Sequence, residues 1–148
     1  RDTFVLNIDD ARTGAIYNTQ DPPSYPGYQA RDGASAYVEV ALDADEAGKV
    51  VSVAVTDYAG NLSTKSSRKE FEDAALSAVK SWTYRPEIVG GIALPSKHTV
   101  PIMFCVGIWC TEHERKLAAS GKDVLPSGMS VALDSAVKIL TRTTSVEI

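Results

Sequence analysis

Between residues 36 and 106 the hydrophobic period of the chain changes twice, and this limits the fold more than any other feature. Ala36, Val38, Val40 and Leu42 alternate with Tyr37, Glu39, Ala41 and Asp43, the period-two pattern of a half-buried strand. Asp45-Glu46-Ala47-Gly48 reads as a turn. Val51, Val53 and Val55 then alternate with Ser52, Ala54 and Thr56, which makes a hairpin. Tyr58 to Lys65 is polar around Gly60-Asn61 and reads as a loop. The period then turns helical: Phe71, Ala74, Ala75, Ala78, Val79 and Trp82 fall on one stripe. Ser67 as N-cap with Glu70 three residues on fits a capping box. Pro86 stops the helix, and Tyr84-Arg85 before it should be extended. After a Gly90-Gly91 turn, His98 to Val106 returns to period two, with Val100, Ile102, Phe104 and Val106 on one face. The pattern predicts an α+β fold: about three antiparallel strands with one helix packed across them.

Pro101 lies inside the third strand. Proline has no N–H for a ladder, so strands carry it at sheet edges. The third strand is therefore expected to be an edge near Pro101, with backbone groups beyond it free to pair. An exposed edge is a liability unless it is covered or used.

The flanks are less regular. Phe4, Leu6 and Ile8 alternate in the lead, residues 11–20 show no pattern, and Asp21 to Gly27 carries three prolines that forbid helix. In the tail, 112–120 reads as a short helix. Met129, Ala132, Leu133, Ala136, Val137 and Leu140 form a second helical stripe, and 141–148 is β-prone. At 148 residues and 44% hydrophobic the chain has the size and composition of one domain. No apolar run approaches the ~20 residues of a membrane-spanning helix, and no signal peptide starts at Arg1. The net charge of −4 gives no electrostatic claim on nucleic acid. Residues 1–64 hold 4 basic and 10 acidic side chains, and this reads as a solvated acidic face. There is no nucleophile elbow, phosphate-binding loop or dinucleotide fingerprint, so the chain does not read as an enzyme. Asp43, Asp45 and Glu46 cluster in the hairpin turn, but not at calcium-loop spacing, and read as a polar turn. Glu112-His113-Glu114 lacks the paired histidines of a zinc-protease helix and reads as a helix start.

Pro23-Ser24-Tyr25-Pro26, the valine-rich hairpin, Trp82-Thr83-Tyr84-Arg85-Pro86, Gly90-Gly91 and Val100-Pro101-Ile102-Met103-Phe104 follow one another in an order that resembles the C-terminal domain of TonB, the energy transducer of Gram-negative bacteria. The resemblance covers about residues 22–106. It divides a single domain into a lead (1–21), a TonB-like core (22–106) and a C-terminal extension (107–148). It implies a periplasmic peptide-binding module, with no cofactor, that docks the Ton box of an outer-membrane transporter. The docked segment adds as a strand beside the third strand, coupling inner-membrane energy to transport. The residues it marks for docking are His98, Val100, Ile102, Met103 and Phe104, with Tyr25 and Pro26 nearby. Trp82, Tyr84, Arg85 and Pro86 are marked as structural. His98 is read as a surface residue at the strand's start, in reach of a docked peptide. The family's membrane anchor and its contacts with an ExbB–ExbD motor lie in parts absent from this sequence.

Cys105 and Cys110 would sit roughly 17 Å apart on a continuous strand at ~3.3 Å per residue. A bridge needs Cα atoms within about 7 Å, hence a turn at 106–109, which Gly107 permits. An oxidising periplasm favours that disulfide. Asp2-Thr3-Phe4-Val5-Leu6-Asn7 has the look of a Ton box; residues 2–8 either pair with an open sheet edge, gating it or driving homodimerisation, or form an ordinary extra strand. A second functional reading is an envelope scaffold or self-association module of TonB- or TolA-like fold whose docking edge is covered by its own lead or tail. An open third-strand edge favours docking; a covered one favours the scaffold.

Overall fold

The computed structural model describes residues 3–6, 16–62, 64–120, 124–132, 135–142 and 144–147. In chain order the elements are β1 (Thr3–Leu6), β2 (Ile16–Thr19), α1 (Gly27–Arg31), β3 (Ala36–Ala44), β4 (Val50–Gly60), α2 (Lys65–Lys80) and β5 (Thr83–Arg85). These are followed by β6 (Ile88–Val89), β7 (Ile92–Ala93), β8 (Ser96–Cys105), α3 (Trp109–Ala119), β9 (Val124–Ala132), β10 (Ser135–Arg142) and β11 (Thr144–Glu147).

The main sheet has five strands in the order β4-β3-β8-β10-β9. Its first three are the hairpin and third strand expected from the sequence, paired antiparallel with Val40 opposite Val100. The other two come from the tail. The helical stripe expected over 129–140 is instead a β-hairpin, β9 and β10, in antiparallel register. Helix does open the extension, as α3.

The sheet has a helix on each face. On one face Val38, Val40, Val100, Ile102 and Phe104 pack with Phe71, Ala75, Val79 and Trp82 of the α2 side; all nine are fully or nearly fully buried. On the other, α3 sets Cys110 and Leu117 against Tyr37 and Met103. The N-cap of α2 is Thr64, whose Oγ1 accepts from the Ser67 N–H at 3.1 Å, so the helix begins one turn before the expected Ser67 cap. The periodic stripe still falls on the buried face.

Smaller pairings tie the flanks down. β5 continues the extended chain expected at Tyr84-Arg85 and pairs with β2, in the stretch where the sequence shows no pattern. Gly48, at φ +84°, closes the β3–β4 turn, and its carbonyl accepts from the Tyr84 N–H at 2.8 Å. β1 pairs with β11, so the Ton-box-like strand at 3–6 lies against the chain's own C-terminal strand and not against β8. The rest of that expectation, at 2 and 7–8, lies outside the described residues.

Candidate strand-docking edge

β8 is the strand on which the sequence places docking. One side is paired with β3 from Ser96 to Phe104. On the other, β10 pairs antiparallel over four residues, from Ala136 opposite Cys105 to Ile139 opposite Ile102. That ladder ends next to Pro101, a residue with no N–H to give a ladder. Among the described residues, β8 thus has two strand neighbours over 102–105 and one over 96–101. β8 is therefore an interior strand and not the edge expected from Pro101: the chain's own tail pairs with it over 102–105, and Pro101 itself is fully buried.

The side chains named for docking do not point at an incoming strand. Val100, Ile102 and Phe104 lie in the α2-side core, 4%, 0% and 0% exposed, and Met103 is buried under α3. What β8 offers a partner is its backbone. His98 is not a surface residue: it is 3% exposed, its Nε2 shares a 2.7 Å hydrogen bond with Ser96 Oγ, and its ring stacks on Tyr84 at 4.0 Å. The β5 chain covers it, because the Tyr84 N–H bond to the hairpin turn fixes that tyrosine over the start of β8.

Tyr25 is brought to the β8 core. Its ring meets Phe71 and Phe104 edge-on at 5.7 and 5.5 Å, and its hydroxyl donates to the Ala34 carbonyl. Burial pushes the phenol up to about 12, against a smaller opposing effect of the Ser35 hydrogen bond. Pro26 caps α1 without a side-chain hydrogen bond, and its fixed φ of −61° suits the entry to a helix. Trp82 donates from Nε1 to the Asp21 carbonyl at 2.7 Å and is buried, whereas Arg85 is exposed. Tyr25 and Trp82 thus tie the chain before β3 to the core of the fold.

Cys105 and Cys110 form a disulfide with Cα atoms 5.7 Å apart, across a turn in which Gly107 adopts φ +69°. The acidic turn is held from within by one of its own carboxylates, since Asp45 Oδ1 accepts from the Ala47 and Lys49 N–H groups at 3.0 and 2.9 Å. Among the described residues no group of three or more His, Cys, Asp or Glu is placed to hold a metal. No helix there is long and apolar enough to cross a membrane. Sequence reasoning missed two participants in the edge. One is β10. The other is Lys138 on it, whose Nζ meets Glu114 of α3 at 3.3 Å.

The family model for the Gram-negative bacterial TonB protein C-terminal domain matches residues 21–106, more than half of the chain. The chain belongs to this family. The matched span runs from the residue before Pro22 to just past the end of β8; it includes Cys105, while Cys110, α3 and the β9–β10 hairpin lie beyond it. The solution NMR structure of the Pseudomonas aeruginosa TonB C-terminal domain is similar at 20% sequence identity, with 66% of this chain and 89% of that chain covered and a TM-score of 0.44. No curated protein matches the chain. The family is one of periplasmic protein-interaction domains of Gram-negative energy transducers, which act on outer-membrane transporters.

Proposed function

We infer that this domain binds an extended Ton-box segment of an outer-membrane transporter by strand addition along β8, and that its own β10 occupies part of that edge at rest. The supporting observation is the β8–β10 ladder itself: an antiparallel strand adds to this edge at 102–105, through backbone groups that do not depend on side-chain identity. A partner strand displaces β10 to take this edge, since Ser96, His98, Val100 and Pro101 are themselves buried.

The covered edge also favours a second reading, an envelope scaffold or self-association module in which β10 never leaves. Val137 and Ile139 of β10 are 4% and 3% exposed and belong to the main core, so displacing them has a cost. Titration of the chain with a synthetic acidic-Thr peptide of alternating aliphatics, followed by backbone amide NMR, separates the two. Shifts focused on 96–105 and Tyr25-Pro26, together with 136–139 moving towards unpaired values, are the docking result. A spectrum unchanged at millimolar peptide removes docking and leaves the scaffold.

A further inference from the structure

The covering strand is rooted at one point of the frame. The chain leaves β8 at Cys105, turns through 106–109, runs along α3, and comes back as β9 and then β10 onto the edge it left. The frame is fixed up to Val106, whose N–H donates to Ser35 Oγ at 2.8 Å and whose carbonyl accepts from the same hydroxyl at 3.0 Å. Beyond it a Cβ on Gly107 would meet nothing within 4 Å and Ile108 is 72% exposed, so the middle of this turn is open to solvent. The disulfide spans it, tying the last residue of β8 to the first turn of α3. From α3, Glu114 reaches Lys138 on β10. The covalent bond, the helix and the covering strand are thus one mechanical series.

We propose that the Cys105–Cys110 disulfide is a redox lock on the α3–β9–β10 cover: oxidised, it holds β10 on the β8 edge; reduced, it lets the cover open and exposes 102–105. A dithiol reductant opens it by thiol–disulfide exchange. Its thiolate attacks Cys105 Sγ, on the more exposed of the two residues, and Cys110 leaves as a thiolate that takes a proton. The second thiol of the reductant then displaces Cys105, giving two cysteine thiols and an oxidised reductant. Removing a short covalent loop frees hinge conformations that the closed state must then give up. The ladder and the buried Val137 and Ile139 keep the reduced cover mostly shut, so the lock changes a population without unfolding the frame.

The proposal rests on the docking reading for its purpose, and its test needs no partner. Amide hydrogen exchange on the whole chain is compared in oxidised and reduced form, and in the Cys105→Ala/Cys110→Ala variant. The expected result is exchange about tenfold faster at 102–105 and 136–139, the scale of a short loop constraint, with β3, β4 and α2 unchanged. Equal exchange in both forms, or a uniform rise in every element, overturns the lock. If reduction unfolds the chain, reciprocity supplies a second readout, because a lock that holds β10 is in turn protected by β10. Ile139→Ala should shift the thiol–disulfide equilibrium with dithiothreitol several-fold towards the reduced form, and an unchanged equilibrium overturns the proposal. A Ton-box-like peptide that binds neither redox form while exchange still rises removes docking and supports the lock. Binding about tenfold tighter to the reduced form supports both.

Discussion

Tyr25 joins three parts of the fold through one side chain. Its ring wedges between Phe71 of α2 and Phe104 of β8, and its hydroxyl is satisfied by the Ala34 carbonyl at the approach to β3. Tyr25→Phe keeps the ring contacts and leaves that carbonyl without its donor, so it should lower unfolding free energy by about 1 kcal/mol in denaturant melts. The variant also carries a pH signature. The folded phenol titrates at about 12 against the ordinary 10.0, so folding favours the neutral form. Between those values the unfolded chain loses the proton first and binds fewer protons, and stability falls as pH rises. That loss should be shallower in Tyr25→Phe. Tyr58, also raised by burial, keeps its own share of the slope in both proteins. Gly48 is the least replaceable residue of the hairpin: a Cβ there would stand 1.8 Å from the Tyr84 carbonyl oxygen, at φ +84°. Gly48→Ala should therefore part β5 from the turn and cost about 3 kcal/mol or more, from backbone strain and the displaced contact together. Loss of the Tyr84 cover over His98, visible in their NMR shifts, would accompany it. Single residues were legible where local chemistry decides them. Trp82 read as core from its helical spacing, and Gly107 as the permissive point of the disulfide turn. His98 misled, because its burial comes from β5 and Ser96, and nothing in its local pattern signals a covering chain.

At the scale of elements, the core of the sheet was legible and the tail was not. β3, β4 and β8 each carry a clean alternation, and α2 a clean stripe, so local pattern and tertiary packing agree. In 129–140 the same apolar residues satisfy two periods. Met129, Ala132, Leu133, Ala136, Val137 and Leu140 fit a helix, while Val137 and Ile139, flanking Lys138, fit a strand. What decides is a partner more than thirty residues away: β8 has an unfilled edge, and β-branched Val137 and Ile139 fill the core beside Ile102 and Phe104 once they pair there. Pro101 carried half of that answer, since it marks where the second ladder must stop. Ile139→Ala is the direct check. It removes a nearly fully buried side chain and should cost about 2–4 kcal/mol of local stability. If β10 is a separable cover, amide protection should fall at 136–139 and 102–105 and hold elsewhere. A loss spread over β3 and α2 would mean that β10 and the frame are one packing unit.

For the whole molecule, the question is whether the cover folds with the frame. The α2-side core runs without a break from Phe71 and Val79 through Val38 and Ile102 to Val137 and Ile139, which argues for one cooperative domain. The topology argues for a hierarchy within it. β3 is flanked on both sides along its length and β8 is paired with it over nine residues, whereas the β10 ladder to β8 has four pairs and β9, the outer strand, pairs with β10 among the described residues. Fewer frame contacts mean a lower opening free energy, so the cover should form its own low-stability unit. In native-state exchange under increasing denaturant, amides of β3 and of β8 at 97–100 should open only with global unfolding. Those of β9 and β10 should open below it, by about 2 kcal/mol or more if the cover is to exchange with an incoming strand on a functional timescale. This measurement bears on function as well as folding. A cover that opens early leaves a docking edge available at modest cost to a partner strand, and the transporter-binding reading gains the access it needs. A cover that opens only with the frame turns β10 into a permanent strand of a five-stranded sheet. The edge that matters for association then moves outward to β9.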